Sequence, residues 1–219
     1  MRSQISNIKK ERTEVYKLKK RALVIGGSGF MGSHTADTLS NKGIDVTIAD
    51  TKKSKWLRAD QKMIELDILN LDSVVEAVKN SDYVYHFAAI ADIGEAKKNP
   101  YKTLEINLVG TMNILEAAVR SKVERVIYAS TMYVYNPYGS FYRASKQSAE
   151  IMIEAYSEEH DLEYTILRYG SLYGPRTQEW NGIYKYVKEV VQTEKLKYHG
   201  TGKERREYIH VEDAAKLSV

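Results

Sequence analysis

Seven residues, Gly26-Gly27-Ser28-Gly29-Phe30-Met31-Gly32, join an apolar run of strand length (RALVIG, 21–26) to a stretch with helical apolar spacing (30–42). The run satisfies both G-x-G-x-x-G (27, 29, 32) and G-x-x-G-x-x-G (26, 29, 32). Glycines there allow a tight turn and close backbone approach, and the helix that follows directs free N–H groups and the positive end of its dipole at an anion. A pyrophosphate cradle is the expectation. Asp50 ends the next apolar run (IDVTIAD, 44–50), 21 residues beyond Gly29. A carboxylate at that place accepts hydrogen bonds from a ribose 2′-hydroxyl and repels a 2′-phosphate. The two features together predict a dinucleotide site that prefers NAD to NADP, with Lys52 and Lys53 pulling the other way.

The rest of the chain keeps the same rhythm. Strand-length runs near 62–66, 82–89, 124–130 and 162–169 alternate with helical patterns near 71–79, 101–121 and 143–160. Regular alternation of this kind predicts a doubly wound α/β fold, a parallel sheet with helices on both faces. The three prolines, at 100, 137 and 175, fall between the expected elements. After Pro175 the pattern loosens into one helix at about 180–194, a short strand at LKYHG (196–200) and a closing segment. The expected organisation is a basic extension (1–20), a dinucleotide-binding domain (21–174) and a partial substrate lobe (175–219).

Charge excludes some functions. The 219 residues carry a net charge of +4, yet residues 1–20 alone hold seven Lys/Arg against two Glu. The remaining residues hold 26 Lys/Arg against 27 Asp/Glu, so the body has no basic face bias that would suggest nucleic acid. The extension, with Ile5, Ile8, Val15 and Leu18 at loose helical spacing, reads as a solvated tail. No stretch has the length of a membrane span. The five histidines lack metal-ligand spacing, and there are no cysteines, which points to a reducing cytoplasm and to no metal site. Seventeen tyrosines, several between 128 and 142, read as compositional drift, because few basic residues interleave them.

Tyr142 and Lys146 form a Tyr-x-x-x-Lys pair shortly after the 124–130 strand, and i, i+4 spacing puts both on one helical face. A phenol is a poor base at neutral pH. An ammonium about 5 Å away would stabilise the phenolate by roughly 3 kcal/mol, or about two pKa units. Thr131, just past the strand, offers a hydroxyl to hold a substrate oxygen beside that phenol.

Taken in order, GGSGFMG, Asp50, Asp67-Ile68, HFAA (86–89), Asn107 within NLVGTMNILEAA, ASTMYVY (129–135), YRASK (142–146) and LRYGSLYGPR (167–176) resemble the extended short-chain dehydrogenase/reductases, specifically the NAD-dependent epimerase/dehydratase family acting on nucleotide sugars. The resemblance covers about residues 21–213 and implies a Rossmann fold. It implies Tyr142 as the acid/base, Lys146 as its partner and ribose ligand, and Thr131 as the catalytic hydroxyl. Gly26, Ser28, Gly29, Phe30, Met31 and Gly32 would hold the pyrophosphate, with Asp50 on the ribose and Asp67 and Ile68 along the adenine. Phe87, Ala88, Ala89, Ala129 and Tyr169 would complete the cofactor wall, and Asn107 would anchor the central helix. Ser171 and Arg206 would meet the nucleotide sugar, the arginine gripping its phosphates.

Departures from the family pattern shape the expected reaction. Met132 and Tyr133 stand where the family's 4,6-dehydratases carry Asp-Glu, which argues against water elimination. The 132–141 loop is short, Gly170-Ser171 replaces Phe-Asn, and the chain stops soon after Arg206. The expected activity is epimerisation, in which a hydride leaves a sugar carbon to give a keto-sugar and then returns. Simple ketoreduction within the family is an alternative, as is a non-catalytic NAD-binding sensor or assembly module. The resemblance also implies a homodimer through helices at about 101–121 and 143–160.

Overall fold

In the computed structural model, the described residues are 19–198, 200–203 and 205–219. In chain order the elements are β1 (Arg21–Ile25), α1 (Phe30–Asn41), β2 (Asp45–Asp50), β3 (Gln61–Glu65), α2 (Leu71–Val78), β4 (Tyr83–His86), α3 (Ile93–Lys98) and α4 (Pro100–Leu104). A π-helical turn (Glu105–Val109) leads into α5 (Gly110–Ser121) and β5 (Arg125–Thr131), and a 3-10 turn (Met132–Tyr135) precedes α6 (Ser140–His160). Then follow β6 (Tyr164–Tyr169), β7 (Ser171–Tyr173), α7 (Gly182–Thr193), β8 (Tyr208–His210) and α8 (Val211–Leu217).

The main sheet is parallel in the order β3-β2-β1-β4-β5-β6, a Rossmann arrangement. Strand order reverses between β1 and β4, which opens a crevice at their carboxyl ends where such folds bind ligands. Both faces of the sheet are covered, so the strands read as nearly unbroken apolar runs. Leu23 and Ile25 of β1 pack with Val84, Val126 and Tyr128 beneath α2, α5 and α6, against Val74, Ile114, Leu115, Ala149 and Ile153. The alternate residues Ala22 and Val24 join Val46, Ile48, Ala36 and Leu39 under α1.

Some expectations need correction. The segment expected as a helix over 101–121 is helical throughout but carries a π turn between α4 and α5, and Pro100 sits at the first position of α4, where its missing N–H is harmless. In its first half the buried line is Thr103, Asn107 and Thr111, with Leu104 left exposed, whereas Leu115 and Ala118 in the second half are fully buried. Hydrogen bonds make that polar line tolerable: Thr103 Oγ1 donates to the Asn99 carbonyl at 2.8 Å, and Thr111 Oγ1 to the Asn107 carbonyl at 2.7 Å. LKYHG forms no strand among its described residues. The late strand is β8, which pairs in parallel with β7, so the expected division at 174 runs between two strands of one small sheet. α8 then returns to the main body, where Val211, Ala214 and Ala215 pack on Phe30 and Met31. The reading of Ile5, Ile8, Val15 and Leu18 as a solvated tail lies outside the described residues. Lys20 belongs to the body: its carbonyl accepts from the Asp45 amide at 2.9 Å and its ammonium pairs with Glu124.

Candidate active site

The glycine turn sits at the mouth of the crevice. Gly26 has φ +80°, and a Cβ there would lie 2.5 Å from the Ala88 amide nitrogen. At Gly32 a Cβ would lie 2.3 Å from the Gly26 carbonyl oxygen, which fixes how closely α1 approaches the turn. Gly29 caps α1 with extended backbone, no side chain caps the first turn, and no acidic residue stands in it. The first N–H groups of a twelve-residue helix therefore face the crevice without a protein anion, the arrangement a pyrophosphate requires. Asp50 ends β2 beside the turn, accepting from the Ser28 amide and the Lys52 amide, each at 3.1 Å, while Ser28 Oγ donates to the Lys52 carbonyl at 2.7 Å.

The other residues expected on the cofactor side surround this turn. Asp67 accepts from the Leu69 amide at 3.0 Å, and Ile68 is buried against Gly110, where a Cβ would come within 2.5 Å of it. Phe87 continues β4 by donating its amide to the Ile25 carbonyl at 2.8 Å, and Ala88 and Ala89 follow it past Gly26. The Tyr169 hydroxyl meets Ser218 Oγ at 2.7 Å, tying β6 to α8.

The end of β5 meets α6 at the three expected catalytic residues, all buried. Thr131 ends the strand and its hydroxyl accepts from the Tyr133 amide at 3.2 Å. Lys146 Nζ donates to the Ala129 carbonyl at 2.7 Å and lies 4.6 Å from the centre of the Tyr128 ring. Burial pushes the Tyr142 phenol up to about 12, and the neighbouring Thr131 hydroxyl acts in the opposite direction. Burial likewise pushes the Lys146 ammonium down to about 7, opposed by the charge of Glu150. Burial, rather than the ammonium expected to lower it, is thus the largest influence on the phenol. Desolvation dominates both groups and drives each towards its neutral form.

Glu150 escaped the sequence reading, and His86 and Tyr133 entered it without a role at this site. Glu150, one turn beyond Lys146, accepts from Ser130 Oγ and makes a paired contact with Arg168, whose Nε lies 3.1 Å from one oxygen and whose Nη2 lies 2.8 Å from the other. Its spacing was the available signal, since 142, 146 and 150 share a helical face. His86 is buried at the end of β4, with Nε2 2.9 Å from Thr111 Oγ1, and burial followed by the Lys146 charge pushes it down to about 3. Tyr133, in the 3-10 turn, stands edge-on to Tyr142 with ring centres 6.4 Å apart. Asn107 was expected. Its amide nitrogen donates to the Ile90 carbonyl and to Ser145 Oγ, each at 3.0 Å, and its oxygen accepts from the Ile90 amide at 2.8 Å. All three bonds are within the protein, so the residue joins the loop after β4 to α6.

On the substrate side, the Ser171 amide donates to the Glu207 carbonyl at 3.1 Å at the start of β7. Arg206 Nη1 donates to the Tyr133 hydroxyl at 3.3 Å. Arg206 also lines an open cleft of about 530 Å³ with Tyr186, Tyr198, Arg205 and Tyr208. The cleft thus adjoins the turn carrying Tyr133. Among the described residues no helix is long and apolar enough to cross a membrane, and no cluster of acidic residues or histidines could hold a metal.

Comparison with known proteins fixes the lineage. Residues 22–219 match the model of the NAD dependent epimerase/dehydratase family. The chain belongs to this family. Its cofactor is accordingly NAD. Among relatives of the family, a UDP-N-acetyl-alpha-D-glucosaminuronate decarboxylase from Bacillus cytotoxicus is 33% identical over 92% of this chain and 71% of its own length. A UDP-glucuronic acid decarboxylase 1 from Xenopus tropicalis is 30% identical over 97% of this chain, which spans 58% of that relative. In structure, the UDP-glucose 4-epimerase of Thermotoga maritima, solved with UDP-glucose, superposes with a TM-score of 0.84 at 26% identity, over 90% of this chain and 72% of the other. The UDP-glucose 4-epimerase of Thermus thermophilus, in complex with NAD, gives a TM-score of 0.79 at 28% identity over the same shares.

Proposed function

We propose that the chain is a nucleotide-sugar epimerase that acts through Thr131, Tyr142 and Lys146. The observation that carries this reading is the chemistry just beyond Thr131. Met132 and Tyr133 occupy the turn, and the nearest buried carboxylate, Glu150, is engaged by Ser130 and Arg168. A β-elimination of water needs an acid and a base free to exchange protons with the sugar; here the Tyr142 phenol and the Thr131 hydroxyl are what adjoin the reacting position. Bound NAD supplies the hydride acceptor and donor.

The chain's residues do the rest. The N-terminus of α1 holds the pyrophosphate, and Asp50 receives the adenosine ribose. Lys146, anchored on the Ala129 carbonyl, holds the second ribose and favours the Tyr142 phenolate. Thr131 orients the sugar hydroxyl while Tyr142 removes its proton, and the same phenol returns the proton once the hydride has come back on the other face. Arg206 faces the substrate phosphates from the tyrosine-lined cleft. The division into a dinucleotide-binding part and a substrate part at about 174 follows the same assignment.

A decarboxylase is the second reading, favoured by the 33% identity to the Bacillus cytotoxicus enzyme. Both begin with the same oxidation at the sugar, and a carboxylate-bearing substrate can then lose carbon dioxide. Incubation with UDP-glucose, UDP-N-acetylglucosamine and UDP-glucuronic acid, with products identified by NMR, separates the readings. An inverted 4-hydroxyl is expected. A shortened pentose product would favour decarboxylation, and tight NAD binding with no product from any sugar would leave a binding module. A homodimer through α4, α5 and α6 is part of the proposal, supported by Tyr101, Val109 and Ile151, which expose apolar surface on that side.

A further inference from the structure

The last three residues of β5 each hold one member of the inner face of α6. Thr131 lies beside Tyr142, the Ala129 carbonyl accepts from Lys146 Nζ, and Ser130 Oγ donates to Glu150. Tyr142, Lys146 and Glu150 follow one another at intervals of four, one turn apart. Glu150 is only 7% exposed. Its partner Arg168 stands opposite Ser130 in the β5–β6 register and continues outward to Tyr135, donating to its hydroxyl and covering its ring at 5.0 Å.

An ion pair with one buried and one partly exposed member gives little stability by itself. Its position suggests another use. Lys146 is 3% exposed, and its direct acceptor is a neutral carbonyl. The groups that act on its ammonium are Glu150 on its own helix, the Tyr128 ring on β5 and His86 on β4, with Tyr142 one turn earlier on the helix. Arg168 approaches from β6 on the far side of Glu150. Of these, burial keeps the imidazole and both phenols neutral at pH 7, so Glu150 is the anion of the set.

We propose that Glu150 is a positioning residue for Lys146: its carboxylate, fixed by Ser130 and Arg168, supplies the counter-charge for the buried ammonium and, through Ser130, holds the Ala129 carbonyl that orients it. The reading of Lys146 as partner of a catalytic tyrosine underlies the significance of this assignment, but the decisive measurement does not depend on turnover. Protein carrying 15N-labelled lysine is titrated by NMR, with the Lys146 signal identified by its loss in Lys146→Arg. Glu150→Gln keeps the shape and removes the charge, and should lower the Lys146 midpoint by about one pH unit, a tenfold change in proton affinity. Glu150→Asp should recover most of it.

Should Glu150→Gln fail to fold with Arg168 left unpaired, the double variant Glu150→Gln/Arg168→Met removes the buried carboxylate together with its partly exposed partner and is titrated in the same way. A midpoint unchanged from the wild type in whichever of these variants folds would overturn the proposal, whatever happens to the melting temperature. In turnover, the charge-neutral variant should lower kcat most steeply on the alkaline side and leave the sugar KM within about twofold. If no nucleotide sugar is turned over, the function assigned above fails while the Lys146 midpoint still decides this one.

Discussion

The proposed function gives Tyr142 and Asp50 one separable task each, and single substitutions can isolate them. Tyr142→Phe removes the proton acceptor and keeps the ring that packs beside Tyr133. Hydride transfer, followed as the absorbance of reduced nicotinamide after adding nucleotide sugar, should fall by about 10² to 10⁴. NAD affinity, measured by calorimetry, should stay the same. For Asp50 the quantity is selectivity. Its carboxylate receives the Ser28 and Lys52 amides, so it is held in place at the end of β2 where a ribose would arrive. NAD should bind at least about tenfold more tightly than NADP, a difference of roughly 1.4 kcal/mol. Asp50→Ala should narrow that gap, because Lys52 and Lys53 then act on the 2′-phosphate unopposed. Equal affinities in the wild type would show that the lysines already dominate.

At the scale of elements, the segment from α4 to α5 shows both what the sequence discloses and what it hides. Gly26 to Gly32 and Asp50 were legible because a phosphate cradle needs particular residue types at fixed spacing, and Tyr142 with Lys146 for the same reason. The π turn at 105–109 was not legible, since one extra residue in a turn leaves apolar spacing almost intact while rotating the helix. That rotation buries Asn107 and exposes Leu104 and Val109. β8 was hidden because a three-residue strand depends on its tertiary partner β7 more than on its own pattern. The buried Asn107 can be tested directly. Asn107→Leu keeps the branched shape but leaves the Ile90 amide and carbonyl without their side-chain partner, so it should cost about 2–4 kcal/mol. For a chain of this size that lowers the melting temperature by roughly 6–12 °C. Val109, exposed by this rotation, and Ile151 on α6 belong to the face proposed for a second copy. Ile151→Glu places a charge at a position 63% exposed in one chain and should convert a dimer to a monomer in sedimentation, with melting of the monomer otherwise near normal.

For the whole molecule, the catalytic centre works against stability, and the direction follows from Lys146. In an unfolded chain this lysine titrates at its ordinary 10.5, whereas in the fold burial brings it to about 7. Between these values the unfolded chain carries a proton that the folded protein has released. Stability therefore rises with pH through this window, and below about pH 7 the fold bears the full burden of a buried ammonium. His86 acts in the same sense lower down, since its folded value near 3 lies beneath the ordinary 6.5, so stability is lost as pH falls through that range. Tyr142 acts oppositely but only above pH 10, because its folded value is about 12. A window from about pH 7 to pH 9.5 is thus governed, among these buried groups, by Lys146. Lys146→Met should remove the burden while filling the same space beside Tyr128, raising stability at pH 7 by an amount on the order of 2–4 kcal/mol after the lost Ala129 hydrogen bond is counted. It should also flatten the rise of melting temperature between pH 7 and pH 9.5 and abolish turnover. A variant less stable than the wild type at pH 7 would mean that the ammonium is held more favourably than its burial implies. In the proposed function this lysine has chemistry to perform beside a phenol, and the core on both faces of the sheet carries the cost of burying it.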